Sequence, residues 1–224
     1  MILKLLKDTN RLGVAIQLLI LSVFCFGLTI IRYIYTDGIG YFFLLWNLFL
    51  AFIPWLITGL LIIKPGIKKS KIVISLIFIV WFLFFPNAFY IITDLMHLRK
   101  RSAVPIWFDM FLILSFSWTG FLFGFYSLLD IEQIMQEKFS KKCTYIFTVI
   151  IIFAASYGIF LGRYIRLNSW DIIASPVKFI LTIKDTIINP AIRRNAFAMT
   201  FITGIFLNMI YWSLHMLKQK TNSK

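Results

Sequence analysis

The stretch 72–97 reads IVISLIFIVWFLFFPNAFYIITDLMH, and its first half decides the fold. From Ile72 to Phe85 the single polar residue is Ser75, and the run Trp81-Phe82-Leu83-Phe84-Phe85 shows none of the apolar/polar alternation of a membrane-barrel strand. An uncharged run that extends to Tyr90 approaches the roughly 20 residues needed to cross a bilayer as a helix. The second half, from Pro86 to His97, then breaks the pattern with Pro86, Asn87, Thr93, Asp94 and His97.

Outward from this stretch the same hydropathy recurs. Windows at 12–35, 41–63, 72–90, 107–129, 144–162 and 196–217 each qualify as a span. The chain is 60% hydrophobic and 18% aromatic, and only 14% of it is charged, where soluble domains carry roughly a quarter. A water-soluble fold of 224 residues has too little interior to hide that much apolar surface. The expected fold is all-α: a polytopic transmembrane helical bundle with about six spans, forming a single integral membrane domain over residues 1–224. Lys4, Lys7 and Arg11 precede the first apolar run as in a signal peptide, but that run is too long for a typical signal core and lacks a small-x-small cleavage site, so it reads as a retained helix. Cys25 and Cys143 fall at different expected depths, are not presumed to bridge, and lack metal-ligand spacing.

A net charge of +14 raises nucleic acid as a partner. The basic residues, however, sit in short clusters between apolar runs and form no soluble face, so membrane lipids with anionic headgroups are the expected partners and nucleic acid is not. One side of the membrane collects Lys4, Lys7, Arg11, Lys64, Lys68, Lys69, Lys71, Lys138, Lys141, Lys142, Lys218, Lys220 and Lys224. The other collects Arg32, Arg99, Lys100, Arg101, Arg163, Arg166, Lys178, Lys184, Arg193 and Arg194. That is 13 against 10, and six of the ten lie in the longest loop, which weighs less in the positive-inside rule. The expected placement is the cell membrane with both termini in the cytoplasm.

Two loops carry structure of their own. Asp130 to Lys142 mixes acids and bases in a helical pattern and reads as an extension of the fourth helix along the cytoplasmic surface. Between spans five and six, Ser175-Pro176 has the form of an N-cap followed by Pro at the first helical position. Lys178, Thr182, Asp185 and Asn189 then recur at spacings of three and four among apolar residues, the pattern of an amphipathic helix in the outer interface.

The polar residues that interrupt this monotony fall in two stretches, 85–109 and 161–171, which emerge on the same side and are therefore able to build one site. Pro86 removes a helical donor and crowds the carbonyl of Phe82, so the third helix should kink or end there. Asn87 is placed to satisfy a freed backbone group or to line a ligand site in the broken helix. Asp94 and His97, three apart, share a face of a helical turn. They suit a carboxylate-oriented imidazole acting as general base, two ligands of a metal, or a surface helix cap. Asp109, about two residues inside the fourth span, either caps that helix or faces a polar cavity. With Asp94 and His97 it completes the residue types of a divalent-metal site. Arg163 and Arg166 suit phosphate or carboxylate, whether of a ligand, a lipid headgroup or an internal partner among Asp94, Asp109 and Asp171. Asn168, Ser169, Trp170 and Asp171 form a polar turn with an interfacial Trp. Gly120, Gly124 and Ser117 mark a packing face, as do Ala155, Gly158 and Gly162. Asn208 is expected to bond across helices, and His215 to lie at the cytoplasmic end. There is no Walker loop, CxxC pair or GxSxG.

In order, Pro86-Asn87-Ala88-x-Tyr90-x-x-Thr93-Asp94-Leu95-x-His97-Leu98, Pro105-x-Trp107-x-Asp109, Trp118-Thr119-Gly120 and Leu161-Gly162-Arg163-x-x-Arg166-x-Asn168-Ser169-Trp170-Asp171 resemble the bacterial multi-pass membrane proteins called domain of unknown function 1361. The resemblance runs from Pro86 to Asp171 by motif and along the whole chain by hydropathy. It implies a bacterial integral membrane protein and no particular activity. The residues themselves leave three classes of function open. The first is a membrane-embedded enzyme with His97, Asp94 and Asp109 as acid/base groups or metal ligands, and with Asn87, Arg163, Arg166, Asn168 and Asp171 holding an anionic lipid or lipid-linked substrate. The second is a non-catalytic scaffold or subunit, and the third a small-solute or ion-coupled carrier, against which stand the lack of midplane charges and of an inverted repeat.

The topology is tested with reporter fusions. A reporter after Lys224 or within 64–71 is expected to read as cytoplasmic and one within 99–103 as external, and the opposite pattern would invert the orientation.

Overall fold

The computed structural model describes residues 11–64, 66, 70–98 and 104–222, without side-chain placement for Ile173 and 217–222. Lys4, Lys7, Lys68, Lys69, Arg99, Lys100, Arg101 and Lys224 lie outside the described residues, and Lys218 and Lys220 are described in backbone only. Described residues form helices α1 (Arg11–Thr36), α2 (Phe43–Ile63), α3 (Lys71–Phe84), a short α4 (Asn87–Tyr90) leading into a 3-10 helix (Ile91–His97), and α5 (Ile106–Gln136). Then follow α6 (Lys141–Phe160) ending in a π turn (Leu161–Ile165), a short α7 (Asp171–Ala174), α8 (Pro176–Ile188) and α9 (Pro190–Asn222). Six segments are long and apolar enough to cross a membrane, in register with the six sequence windows. The chain is an all-helical, multi-pass membrane protein.

It divides into two compact units, Met1–Asp130 and Ile131–Lys224. In the first, α1 buries a narrow stripe: Arg11, Leu18, Cys25, Thr29 and Arg32. Four of these five are spaced by seven, which keeps one seam of a helix against one partner. The partner is α5, running antiparallel. Arg11 pairs with Asp130 at one end, the Cys25 thiol lies 3.5 Å from the Thr119 hydroxyl midway, and Arg32 donates to Asp109 through Nε (2.7 Å) and Nη2 (3.2 Å) at the other end. Between Arg11 and Arg32, as between Asp109 and Asp130, lie three heptads, about 31 Å of helix at 1.5 Å per residue. That matches the roughly 30 Å hydrocarbon layer, so each charge pair sits at a rim and the length between is apolar.

Both Arg residues were counted as loop charges in the topology argument and are instead buried partners within the helix. One leaves each side of the count, so the difference is unchanged. Helix α2 joins the Arg11 end. Arg11 Nη2 donates to the Trp55 carbonyl (2.7 Å), the Thr58 hydroxyl reaches Asp130 (2.7 Å), and the guanidinium lies 4.6 Å from the Trp55 ring centre. Gly59 leaves room for this guanidinium, since a Cβ there would lie 2.8 Å from Arg11 Nη2 and push it aside.

The third span breaks at Pro86 as its chemistry requires: α3 ends at Phe84 and α4 begins at Asn87. Asn87 Nδ2 donates to the Phe84 carbonyl at 3.1 Å, closing the break with its own amide. An aromatic column carries the packing across it, with Trp81 stacked on Phe85 at 4.6 Å and Phe85 edge-on to Phe89 at 5.1 Å. The small face of α5 receives this column. A Cβ on Gly120 would lie 2.6 Å from the Ala88 carbonyl oxygen, and one on Gly124 would meet Ala88 and Phe89.

In the second unit α6 and α9 pack along their length. Gly204 admits Phe153, whose ring a Cβ would meet at 2.3 Å. Phe160, Leu161 and Ala196 form a core on which Ile183 of α8 docks. Ser175 sits at the N-cap of α8 with Pro176 at N1, but its side chain makes no cap hydrogen bond. The rest of α8 is amphipathic as expected, with Val177, Ile180, Leu181, Ile187 and Ile188 exposed. Asn208 differs from expectation: its amide donates to the Gly204 carbonyl of its own helix at 2.7 Å. Asp130 and Glu132 also differ, because they turn inward where a surface extension of the fourth helix would expose them.

Removing one member of a buried ion pair leaves the other uncompensated, at a cost of about 3–5 kcal/mol. Arg32→Met and Asp109→Leu are each expected to destabilise the purified protein on that scale in denaturant titration, and the double substitution by less than the sum. Two neutral single variants would remove the clamp from the account of the fold.

Candidate functional site

The break at Pro86 does more than end a helix. Beyond it the chain tightens into the 3-10 helix, in which residues three apart eclipse one another, so Asp94 and His97 share one face. Asp94 Oδ1 lies 3.9 Å from His97 Nε2, a contact longer than a hydrogen bond. The Asp94 side chain is 2% exposed and that of His97 51%. Burial of a carboxylate demands a donor, and α2 supplies one: Asn47 Nδ2 donates to Asp94 Oδ2 at 3.0 Å. His97 is steadied by Phe43, whose ring stands edge-on at 5.8 Å.

These groups open onto a cleft of about 570 Å3 lined by Gly40, Tyr41, Phe43, Asn47, Tyr90, Asp94 and His97, within the size range of small-molecule sites. Behind it, the Arg32 guanidinium lies 4.0 Å from the Tyr41 ring centre while held bidentately by Asp109. The Arg32–Asp109 pair marks one end of the apolar length of α1, so the cleft lies beside that end.

Of the residues singled out in the sequence, Asp94 and His97 line this cleft. Asp109 is not in its lining and is taken by Arg32. Asn87 is turned back on the helix break. Among the described residues no three His, Cys, Asp or Glu side chains are grouped to hold a metal ion, so Asp94, His97 and Asp109 do not form a three-ligand set. Asn47, Tyr41 and Arg32 were not anticipated. The signal for Asn47 was an amide within the apolar window 41–63, and that for Arg32 was its three-heptad distance from Arg11, matched by Asp109 and Asp130.

In the second unit the motif 161–171 forms its own structure. The π turn ends at Arg166, which adopts a left-handed conformation (φ 60°) with its N–H bonded to the Leu161 carbonyl. A non-glycine residue there carries strain that is tolerated chiefly where the surroundings or function require it. Arg166 is exposed and Arg163 half-buried. Asp171 accepts from the Asn168 backbone N–H at 2.7 Å, fixing the turn.

A second polar cluster in this unit was missed. Glu132 is buried and accepts from the Tyr211 hydroxyl and from Gln136 at 2.8 Å, and it lies 3.2 Å from His215 Nε2. His215 is thus a buried partner of Glu132, with Tyr145 edge-on to its ring at 5.4 Å. Cys25 and Cys143 are free thiols, the first buried and the second exposed.

A model of the family described as a protein of unknown function, DUF1361, matches residues 46–210. The match takes in Asn47, Asp94, His97, Arg163 and Arg166. No curated protein and no solved structure matches the chain.

In a Cys25→Ser, Cys143→Ser background, His97→Cys is expected to react at least tenfold faster than Asp94→Cys with a membrane-impermeant maleimide. Equal rates in intact membranes would contradict the cleft geometry.

Proposed function

The chain belongs to the DUF1361 family, and from that premise we propose that it is a membrane-embedded acid/base enzyme of the cell membrane acting on a lipid or lipid-linked substrate at the extracytoplasmic interface. The observation that carries the reading is a buried carboxylate beside a half-exposed imidazole in one open cleft. His97 takes a proton from a substrate hydroxyl or an attacking water and returns it to the leaving group. Asp94, held by Asn47, orients the imidazole and offsets its charge while it carries the proton. In this reading Arg163 and Arg166 contact anionic headgroups, and Asn168 with Asp171 fixes the turn that carries them. A divalent metal is not carried forward, because Asp109 is engaged by Arg32.

The extensive internal pairing of Arg11, Arg32, Asp109 and Asp171 favours a second reading, a non-catalytic membrane scaffold in which the polar groups serve only to hold segments together. The two are separated by mass-spectrometric comparison of the lipid and lipid-linked pools in cells of the source organism. The strains compared are wild type, a deletion, Asp94→Asn and His97→Ala, with protein abundance measured beside them. Loss of a general base or its orienting partner costs typically 10²–10⁴-fold in rate. Both variants are therefore expected to reproduce the accumulated species of the deletion strain at undiminished protein abundance. Pools that change only in proportion to abundance would establish the scaffold instead.

A further inference from the structure

Resting on the acid/base reading of the cleft, we infer that the group it takes is the uncharged, hydroxyl-rich part of its ligand: a sugar or polyol. The argument begins with charge. The charged groups in or against the cleft already have partners within the chain. Asp94 faces His97 at 3.9 Å and accepts from Asn47, and Arg32, against Tyr41, is held by Asp109 at 2.7 Å. An anion entering the cleft approaches a buried carboxylate. A cation settling on Tyr41 would share the ring with a guanidinium 4.0 Å from its centre and be repelled by that like charge.

The remaining lining matches a different chemistry. Asn47, Tyr41, Tyr90 and His97 are side chains that both donate and accept hydrogen bonds, the capacity of a hydroxyl group itself. Phe43 and Tyr90 add ring surfaces suited to the apolar faces of a pyranose or polyol backbone. The position agrees, since the cleft lies beside the Arg32–Asp109 end of the apolar length of α1. A hydroxyl is also the group from which His97 would take a proton.

The test uses the full chain in nanodiscs with 15N-labelled histidine. Its two histidines give a reporter in the cleft, His97, and a fold control in the second unit, His215. Octyl β-glucoside, methyl β-glucoside, octyl phosphate and octyltrimethylammonium are titrated in turn. Octyl glucoside is expected to shift the His97 signals and not those of His215. Asp94→Asn and Asn47→Ala are expected to weaken the response at least tenfold with His215 unchanged. A comparable response to methyl glucoside would assign the site to a soluble sugar, and a response to the octyl form alone to a glycolipid; both support the inference. A phosphate or ammonium response equal to or stronger than the glucoside response overturns it, as does no glucoside response in a protein whose His215 signals are native. Glucoside binding with unchanged lipid pools in His97→Ala cells would remove the acid/base reading and leave this inference standing. Altered pools without a glucoside response would do the reverse.

Discussion

A charge taken out of water must be neutralised by a neighbour, and in the first unit this constraint sets the helix arrangement. Arg11 and Arg32 occupy the two ends of a seam on α1, and Asp130 and Asp109 occupy the matching ends on α5. Sliding either helix by a turn would separate both pairs at once, so register and direction are fixed together. Between the pairs, Leu18 and Cys25 need only be small or apolar. A buried pair contributes little net stability compared with apolar packing, but breaking it is expensive. Its value here is that it excludes other packings.

The broken third span depends on that frame. A proline deep in a helix frees backbone groups that the membrane cannot solvate. Asn87 bonds the Phe84 carbonyl, and the aromatic column from Trp81 to Phe89 holds both sides of the break against the glycine face of α5. The tighter 3-10 helix beyond it turns a three-residue spacing into a shared face. The cleft is thus a consequence of how the break is stabilised: Asp94 is buried because α2 offers Asn47, and His97 stays open because the span ends there.

The second unit meets the same constraint with hydroxyl, amide and imidazole partners. Glu132 is surrounded by Tyr211, Gln136 and His215, so its charge is dispersed over hydrogen bonds with no guanidinium involved. Helix α8 combines one docked line, Ile183 and Thr186, with an apolar exposed remainder. That division leaves an apolar face of the helix uncovered by the chain.

The sequence alone determined the number and extent of the spans, the break at Pro86, the amphipathic α8 and the juxtaposition of Asp94 with His97. Hydropathy, the missing N–H of proline and a three-residue spacing act locally, and the bilayer removes most alternatives. It did not reveal that Arg11 and Arg32 are interior, that Asp109 belongs to Arg32, that Asn47 secures Asp94, or that Glu132 turns inward to His215. Those pairings join positions 47 to 119 residues apart. A charge near the end of a span looks the same in sequence whether it reaches water, a headgroup or another helix. Only the packing of the helices decides which, because the partner that makes burial tolerable is supplied by a distant part of the chain.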